Sequence, residues 1–385
     1  MEYSFAGRVR NLKQSSIRSM TRRAAEMGGV NLSQGLCDLP TPDKIKQAAC
    51  DAVNGDRNVY APLNGIQGLR QGIANKLAAF NGIQADPETQ VMVSSGATGA
   101  FVCALLTLLE TGDKVLNFEP FYGYHVACQE LFGFEPVFFR LEPPGWEIDF
   151  ASLERVISGG IRALVINTPA NPSGKVFTRA ELEAIGALCG RYGVWIITDE
   201  IYEHVVFGGR SHVSAASLPG LFGRTVTVSG FSKTFAMTGW RIGYAAGPSA
   251  VIEKMSLVSD LVYICAPHPL QAAVGDTLPS FGEDYYQGLG VKYGHKLENI
   301  SRALRGFGIE PLPIGGTYFL LADYRPRYGD IPSSEAAERL LTERAVAAVP
   351  ACGFYSRGED RPWLRFCFAK EDSELLRAAE LLARA

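Results

Sequence analysis

No two cysteines in this chain stand as Cys-x-x-Cys, and none of its five histidines falls in a His-Glu-x-x-His pattern. The eight cysteines are scattered, at 37, 50, 103, 128, 189, 265, 352 and 367. That spacing supports neither a metal site nor a disulfide framework, and the thiols read as reduced packing residues. Net charge is only −3, so no overall field favours nucleic acid or an anionic membrane as a partner. Long apolar runs are missing too. The most continuous one, A-F-V-C-A-L-L-T-L-L at 100–109, is about half of the ~20 residues a membrane span needs. The first residues, M-E-Y-S-F-A-G-R-V-R, contain no apolar signal core, and a cytoplasmic location is expected. No Gly-x-Gly-x-x-Gly follows a strand pattern, which argues against a nucleotide-binding dehydrogenase. No segment is left over for a helix-turn-helix, and there is no repeat, low-complexity tract or charge run.

What is present is ordinary globular composition, 47% apolar and 20% charged, over 385 residues. That length exceeds the size at which one hydrophobic core stops growing, so two domains are expected. From about residue 90 to 250, short apolar runs alternate with helical patterns. V-M-V-S (91–94), K-V-L-N-F (114–118), P-V-F-F-R-L (136–141), I-R-A-L-V-I-N (161–167), V-W-I-I-T-D (194–199), R-T-V-T-V-S (224–229) and R-I-G-Y-A-A (241–246) read as strands. A helix at 179–192 follows its N-cap Thr178. Continuous apolar strands alternating with helices imply an α/β fold with a mostly parallel sheet covered on both faces. After about 280 the pattern changes. Strand-like 309–323 and 363–369, with helices around 335–345 and 372–384, read as a smaller α+β domain, against which the N-terminal residues pack. The expected division is 46–280 for the large domain, and 1–45 with 281–385 for the small one.

Ligands bind such sheets at the carboxyl ends of the strands, and the polar residues gather there. Asn171 follows the strand ending at Asn167, Asp199 ends the next, and Lys233 follows the one after. Gly96, Ala97 and Thr98 lie where a strand hands over to a helix. Lys233 stands in S-G-F-S-K-T-F-A-M-T-G-W-R-I-G (229–243), small and apolar surroundings that suit a partly buried, reactive amine. A lysine amine forms a Schiff base with an aldehyde. An aspartate facing a pyridine nitrogen keeps that ring protonated, and the two together are the protein signature of pyridoxal 5'-phosphate (PLP) chemistry. The backbone of Ala97 and Thr98 at a helix start can cradle the phosphate, aided by the hydroxyl of Ser232 and the guanidinium of Arg241. Taken singly, each of these residues has a bland reading: a surface lysine, a helix-capping aspartate, an Asn-Pro turn. The five histidines look incidental; His125, near Tyr122, reads as packing.

S-K-T-F-A-M-T-G-W-R-I-G resembles the lysine motif of class I/II (fold type I) aminotransferases. N-P-S-G (171–174), D-E-I-Y (199–202), V-N-L-S-Q-G (30–35), Y-A-P-L-N-G (60–65) and S-S-G-A-T-G-A (94–100) are similar to that family's motifs, in the same order. A-A-V-P-A-C-G-F-Y-S (347–356) and L-R-F-C-F-A-K (364–370) are similar to its kynurenine/glutamine aminotransferase branch. The resemblance spans nearly the whole chain. It implies a mixed, mostly parallel sheet and a PLP-dependent transaminase that shuttles an amino group between an L-amino acid and a 2-oxo acid by a ping-pong route. Lys233 would carry the cofactor as an aldimine and then move the proton. Asp199 would pair with the ring nitrogen. Asn171 and Tyr202 would bond the phenolic oxygen, and Tyr122 would stack on the ring. Gly96, Ala97, Thr98, Ser232 and Arg241 would hold the phosphate. Tyr60 would reach the phosphate of a neighbouring subunit, implying a homodimer. Arg365 would clamp the substrate carboxylate, helped by Asn171 and the backbone at Gly35. No metal is implied.

Two positions depart from the family. Gly230 stands where many relatives carry serine, so one phosphate contact is either missing or supplied by Ser229. Cys37 replaces the proline of Gln-Gly-x-Pro-Asp in a loop bordering the substrate. The resemblance favours substrates with apolar or amide side chains, such as glutamine, methionine, kynurenine or an aromatic amino acid. Elimination, replacement or cyclisation on the same scaffold is the alternative outcome that the motifs leave open.

Overall fold

The computed structural model describes residues 4–10, 16–35 and 37–384. The opening Met1–Tyr3 of the N-terminal segment and Leu36 of the Q-G-L-C-D loop lie outside it. The first strand, β1 (Val30–Asn31), is short. Seven strands then build the main sheet: β2 (Val91–Ser95), β3 (Lys114–Glu119), β4 (Glu135–Arg140), β5 (Ile161–Asn167), β6 (Trp195–Asp199), β7 (Thr225–Gly230) and β8 (Ile242–Ala246). Their spatial order is β2-β8-β7-β6-β5-β3-β4. The strands from β7 to β4 run parallel, while β8 is antiparallel to both β7 and β2. The sheet is mixed for a local reason. Parallel neighbours need a long crossover, usually helical, whereas antiparallel neighbours can be joined directly. The stretch from Phe231 to Arg241 contains no helix, so the chain turns back on itself at Lys233.

The central strands are buried along nearly their whole length: Val226 and Val228 on β7, Ile196 and Ile197 on β6, and Leu164 and Ile166 on β5. Apolar side chains on both faces require cover on both. The Gly96–Leu108 helix covers one face; its Phe101, Ala104 and Leu105 pack with Val165, Ile197, Val228 and Ala245. The Arg179–Tyr192 helix contributes Leu182, Ile185 and Leu188 to the other. It starts where expected, at a capping box in which Thr178 accepts from the Glu181 N–H and the Glu181 carboxylate accepts from the Thr178 N–H. Two antiparallel reversals leave β2 pointing the same way as β5, β6 and β7. The carboxyl ends of all four therefore share one edge of the sheet.

The second layer follows. The segment 309–323, expected as strand, divides into β9 (Glu310–Pro311) and β10 (Phe319–Asp323), because P-I-G-G-T interrupts it with glycines. Three further strands follow, β11 (Val346–Ala347), β12 (Val349–Pro350) and β13 (Trp363–Cys367). The antiparallel sheet has the order β12-β13-β10-β9, and β1 pairs with β11 in parallel. Helices Glu283–Phe307, Ser333–Arg344 and Asp372–Ala383 share one core with β10 and β13, built on Leu304, Phe319, Leu320, Leu340, Phe366 and Leu381. Val30 and Leu32 of the N-terminal segment join that core.

Candidate active site

At the shared strand edge lies a cavity of ≈ 120 Å³. Ala97, Thr98, Tyr122, Asn171, Asp199, Tyr202, Ser232, Lys233 and Arg241 all line it. Residues from distant parts of the sequence thus meet because their strands end side by side. Asp199 ends β6 with its side chain buried; its Oδ1 accepts from the Ile201 N–H at 3.2 Å. His125 Nε2 lies 2.9 Å from Asp199 Oδ2. That contact corrects the expectation that His125 merely packs. The only sequence signal was its place one helical turn beyond Tyr122, whose ring meets it edge-on at 5.1 Å.

Lys233 sits in the turn after β7. Its Nζ lies 5.9 Å from the Tyr202 ring centre and 5.5 Å from that of Tyr318. Burial lowers its pKa; the nearby thiols of Cys367 and Cys37 oppose that shift, and Arg241 adds to it. The amine therefore loses its proton at lower pH than a solvated lysine, which is what a nucleophile and base require. Burial raises the pKa of the Tyr122 and Tyr202 hydroxyls, so both remain protonated donors.

Gly96 opens the helix after β2 with φ +69, and its N–H donates to Arg241 O at 2.9 Å. A Cβ at Gly96 would stand 2.3 Å from Arg241 Nη2. Only glycine lets the helix N-terminus and the guanidinium approach this closely. Among the described residues Arg241 makes one side-chain hydrogen bond, from Nη1 to Thr238 O at 3.1 Å. A helix start and an arginine without a carboxylate partner, side by side, form an anion cradle. Ser229 does not add to it. Its hydroxyl donates to Glu203 Oε1 at 2.9 Å, on the reverse of the sheet, so Ser229 does not make up for Gly230. Gly230 itself lies against Gly243 Cα, where a Cβ would come within 2.8 Å.

Arg365 on β13 is fully buried. Its Nη1 donates to Asn171 Oδ1 and its Nη2 to Ser33 O, both at 3.0 Å. Among the described residues its Nε has no partner, and the guanidinium lies over the Phe319 ring at 4.2 Å. The backbone carbonyl that accepts from Arg365 is that of Ser33. Two residues on, the Gly35 carbonyl accepts from the Tyr318 hydroxyl at 3.1 Å, and a Cβ at Gly35 would stand 2.6 Å from the Phe319 ring. Asn167, which sequence reading used only as a strand end, ties the set together. Its Oδ1 accepts from the Asn171 N–H at 2.7 Å, and its Nδ2 donates to Asp199 O at 3.0 Å. Cys37 Sγ lies 3.4 Å from the Tyr293 hydroxyl. Tyr60 lies outside the cavity of its own chain and is 76% exposed.

Behind Asp199 and Tyr202 is a second polar group that sequence reading missed. Lys76 Nζ stands 2.5 Å from Glu203 Oε1, and Asn81 Nδ2 donates to Glu203 Oε2 at 2.7 Å. His212 Nε2 lies 2.8 Å from Glu200 Oε2. Ligand atoms of Glu200, Glu203 and His212 fall within 4.8 Å of one another, but the Lys76 ammonium already supplies the cation there.

The donor set fits PLP on three counts: a desolvated lysine, a buried carboxylate held in place by His125, and an anion cradle that a Cβ would fill. A family model described as "Aminotransferase class I and II" matches residues 28–382. The methionine aminotransferase of Escherichia coli (strain K12) is 34% identical over 363 residues, 94% of this chain and 94% of that protein. Human kynurenine–oxoglutarate transaminase 1 is 32% identical over 396 residues, 94% of this chain and 93% of that protein. A crystal structure of an Escherichia coli protein described as having a methionine aminotransferase function superposes with a TM-score of 0.95 at 32% identity, covering 100% of both chains.

Proposed function

Since this chain belongs to the class I and II aminotransferases, a family of PLP-dependent transaminases, we propose that its amino donors are L-amino acids with apolar, amide or aromatic side chains. The bound cofactor supplies an aldehyde for the amine and an electron-withdrawing ring for the charge left at the α-carbon. The residues do the rest. Lys233 holds the cofactor and, once released, takes the α proton and redelivers it. Asp199, fixed by His125 and the Ile201 N–H, would face the ring nitrogen. Asn171 and Tyr202 would bond the phenolic oxygen, and Tyr122 would cover the ring. Gly96, Ala97, Thr98, Ser232 and Arg241 would hold the phosphate. Arg365 grips the substrate carboxylate with its planar fork, oriented by Asn171, while the segment at Ser33 and Gly35 borders it.

The observation that carries this reading is Arg365 itself. A buried guanidinium without a carboxylate costs several kcal/mol, and it stands bonded to Asn171 beside the lysine cavity. A ligand carboxylate supplies the missing partner. The relatives that act on methionine and kynurenine support the donor class.

We also propose a homodimer in which Tyr60 completes the partner's phosphate site. Val59, Tyr60, Leu261, Val262 and Ile264 are all exposed, and His268 Nδ1 contacts Val59 O at 2.9 Å, which brings these stretches together as an apolar patch of the kind interfaces use. The seven-stranded sheet and the separate four-stranded sheet support a division into 46–280 and 1–45 with 281–385. The cytoplasm is the proposed location.

The test is a half-reaction. Purified enzyme is titrated with a panel of amino acids and no 2-oxo acid, while the cofactor absorbance is followed. Loss of the aldehyde-form band with one equivalent of 2-oxo acid released identifies the donor. Product formed over many turnovers without an acceptor would overturn the reading in favour of elimination or cyclisation.

A further inference from the structure

A cavity larger than the Lys233 one, ≈ 960 Å³, is on the reverse of the strand-end segment. It shares no lining residue with the Lys233 cavity. One wall is the Gln67–Lys76 helix and its continuation Leu77–Asn81; the opposite wall is the Glu283–Phe307 helix. Its size falls in the range of small-molecule sites, ~300–1,000 Å³.

The floor is aromatic. The His204 ring packs on Phe80, with centroids 4.2 Å apart, and on Tyr286 at 4.4 Å with the planes 27° from parallel. Burial keeps the His204 imidazole neutral, with its pKa pushed down to about 3, so it acts as a flat apolar surface. The Glu203 charge beneath is matched by Lys76. Phe80, 42% exposed, leaves ring area open. At the mouth stands Arg210, exposed and without an ion pair among the described residues. Gly208 and Gly209, with φ +63 and +70, form the turn that carries it. Two carboxylates of the Glu283–Phe307 helix also line the cavity: Glu283, which accepts from Gln287 Nε2 at 2.6 Å, and the exposed Glu298, about four turns further along.

We propose that this cavity is a second ligand site, taking a small molecule with a planar aromatic body and one carboxylate. The rings of Phe80, His204 and Tyr286 provide stacking surface, and Arg210 provides the bidentate partner for the carboxylate. Glu203 and His204 belong to the D-E-I-Y-E-H stretch whose other side chains, Asp199 and Tyr202, line the Lys233 cavity. A ligand here therefore touches the back of the catalytic segment without entering the catalytic cavity.

The test is calorimetric titration of the PLP-loaded enzyme with naphthoate, and with naphthylmethanol as the neutral counterpart. Arg210→Ala lowers naphthoate affinity about tenfold, the worth of one charge-assisted hydrogen bond, and leaves naphthylmethanol binding unchanged. Phe80→Ala weakens both. Turnover of both variants stays at the wild-type value, which also shows that they fold. If neither substitution changes naphthoate affinity, as for binding only beside Arg365, the proposal fails. It also fails if a saturating amino acid substrate displaces all the naphthoate.

Discussion

Lys233 is one of many lysines by composition and a different chemical group by position. Burial disfavours its ammonium form, and the turn after β7 aims it into a cavity that it shares with Asp199 and Tyr202. Lys233→Ala should therefore lower turnover by at least ~10²–10⁴-fold, the worth of a positioned base. The variant should keep PLP noncovalently and lose the visible band of the lysine-linked form; retained turnover would remove Lys233 from the chemistry. His125 works at one remove. Its Nε2 contact with Asp199 is a hydrogen bond to a charged group, worth ~1.5–3 kcal/mol. His125→Phe should thus lower kcat about 10–100-fold while the melting temperature falls by only roughly several degrees, the fold being kept. An unaltered kcat would return His125 to a packing role.

At the scale of elements, function sits where strands end. The Gly96–Leu108 helix presents its free N–H groups at the same edge as Arg241 because β2 and β8 pair in antiparallel register, with Ser95 opposite Ile242. Gly96→Ala places a methyl against the guanidinium in a left-handed conformation that costs ~1–3 kcal/mol. The cofactor dissociation constant of that variant should rise at least about tenfold, measured by dialysis and fluorescence, while the helical content is kept. An unchanged constant would show that the anion cradle lies elsewhere. The D-E-I-Y-E-H stretch shows the same economy of placement. Asp199 and Tyr202 face the cavity; Glu200, Glu203 and His204 face the buried cluster behind. The strand pattern marks that stretch as a strand end, but nothing local shows that Lys76, Asn81 and Ser229 converge on Glu203.

For the whole molecule, that buried cluster predicts sensitivity to acid. His204 has its pKa lowered from 6.5 to about 3 by burial. Between those values the unfolded chain takes up a proton that the folded chain refuses, so stability falls as pH drops, by up to about 1.4 kcal/mol per pH unit. Burial alone would raise the Glu203 pKa, but the Lys76 ammonium, the foremost of the groups that lower it, outweighs burial, and the pKa comes to about 2. Its contribution is complete above 4.5 and is lost as pH falls towards about 2. Urea midpoints should therefore decline below pH 6.5, and His204→Phe should flatten the decline between 6.5 and 4.5. A parallel decline in the variant would place the acid sensitivity elsewhere. The proposed dimer makes a separate prediction. Tyr60→Ala and Lys233→Ala subunits, each weakly active or inactive alone, should regain activity when unfolded and refolded together, because one site in each hybrid holds both native residues. No recovery would confine Tyr60 to its own chain.

The sequence by itself determined the α/β class, the strand ends at Asn167 and Asp199, the Thr178 cap and the small, apolar setting of Lys233. Each of these rests on local information: apolar periodicity, capping residues, and small residues around one amine. Only the tertiary structure decided that β8 runs antiparallel, that His125 holds Asp199, that the Ser33 carbonyl meets Arg365, and that Ser229 serves Glu203. Those facts depend on which distant segments become neighbours. Strand pairing and burial set that, through contacts between residues such as Asn81 and Glu203 that lie 122 positions apart, and no short window of sequence contains both partners.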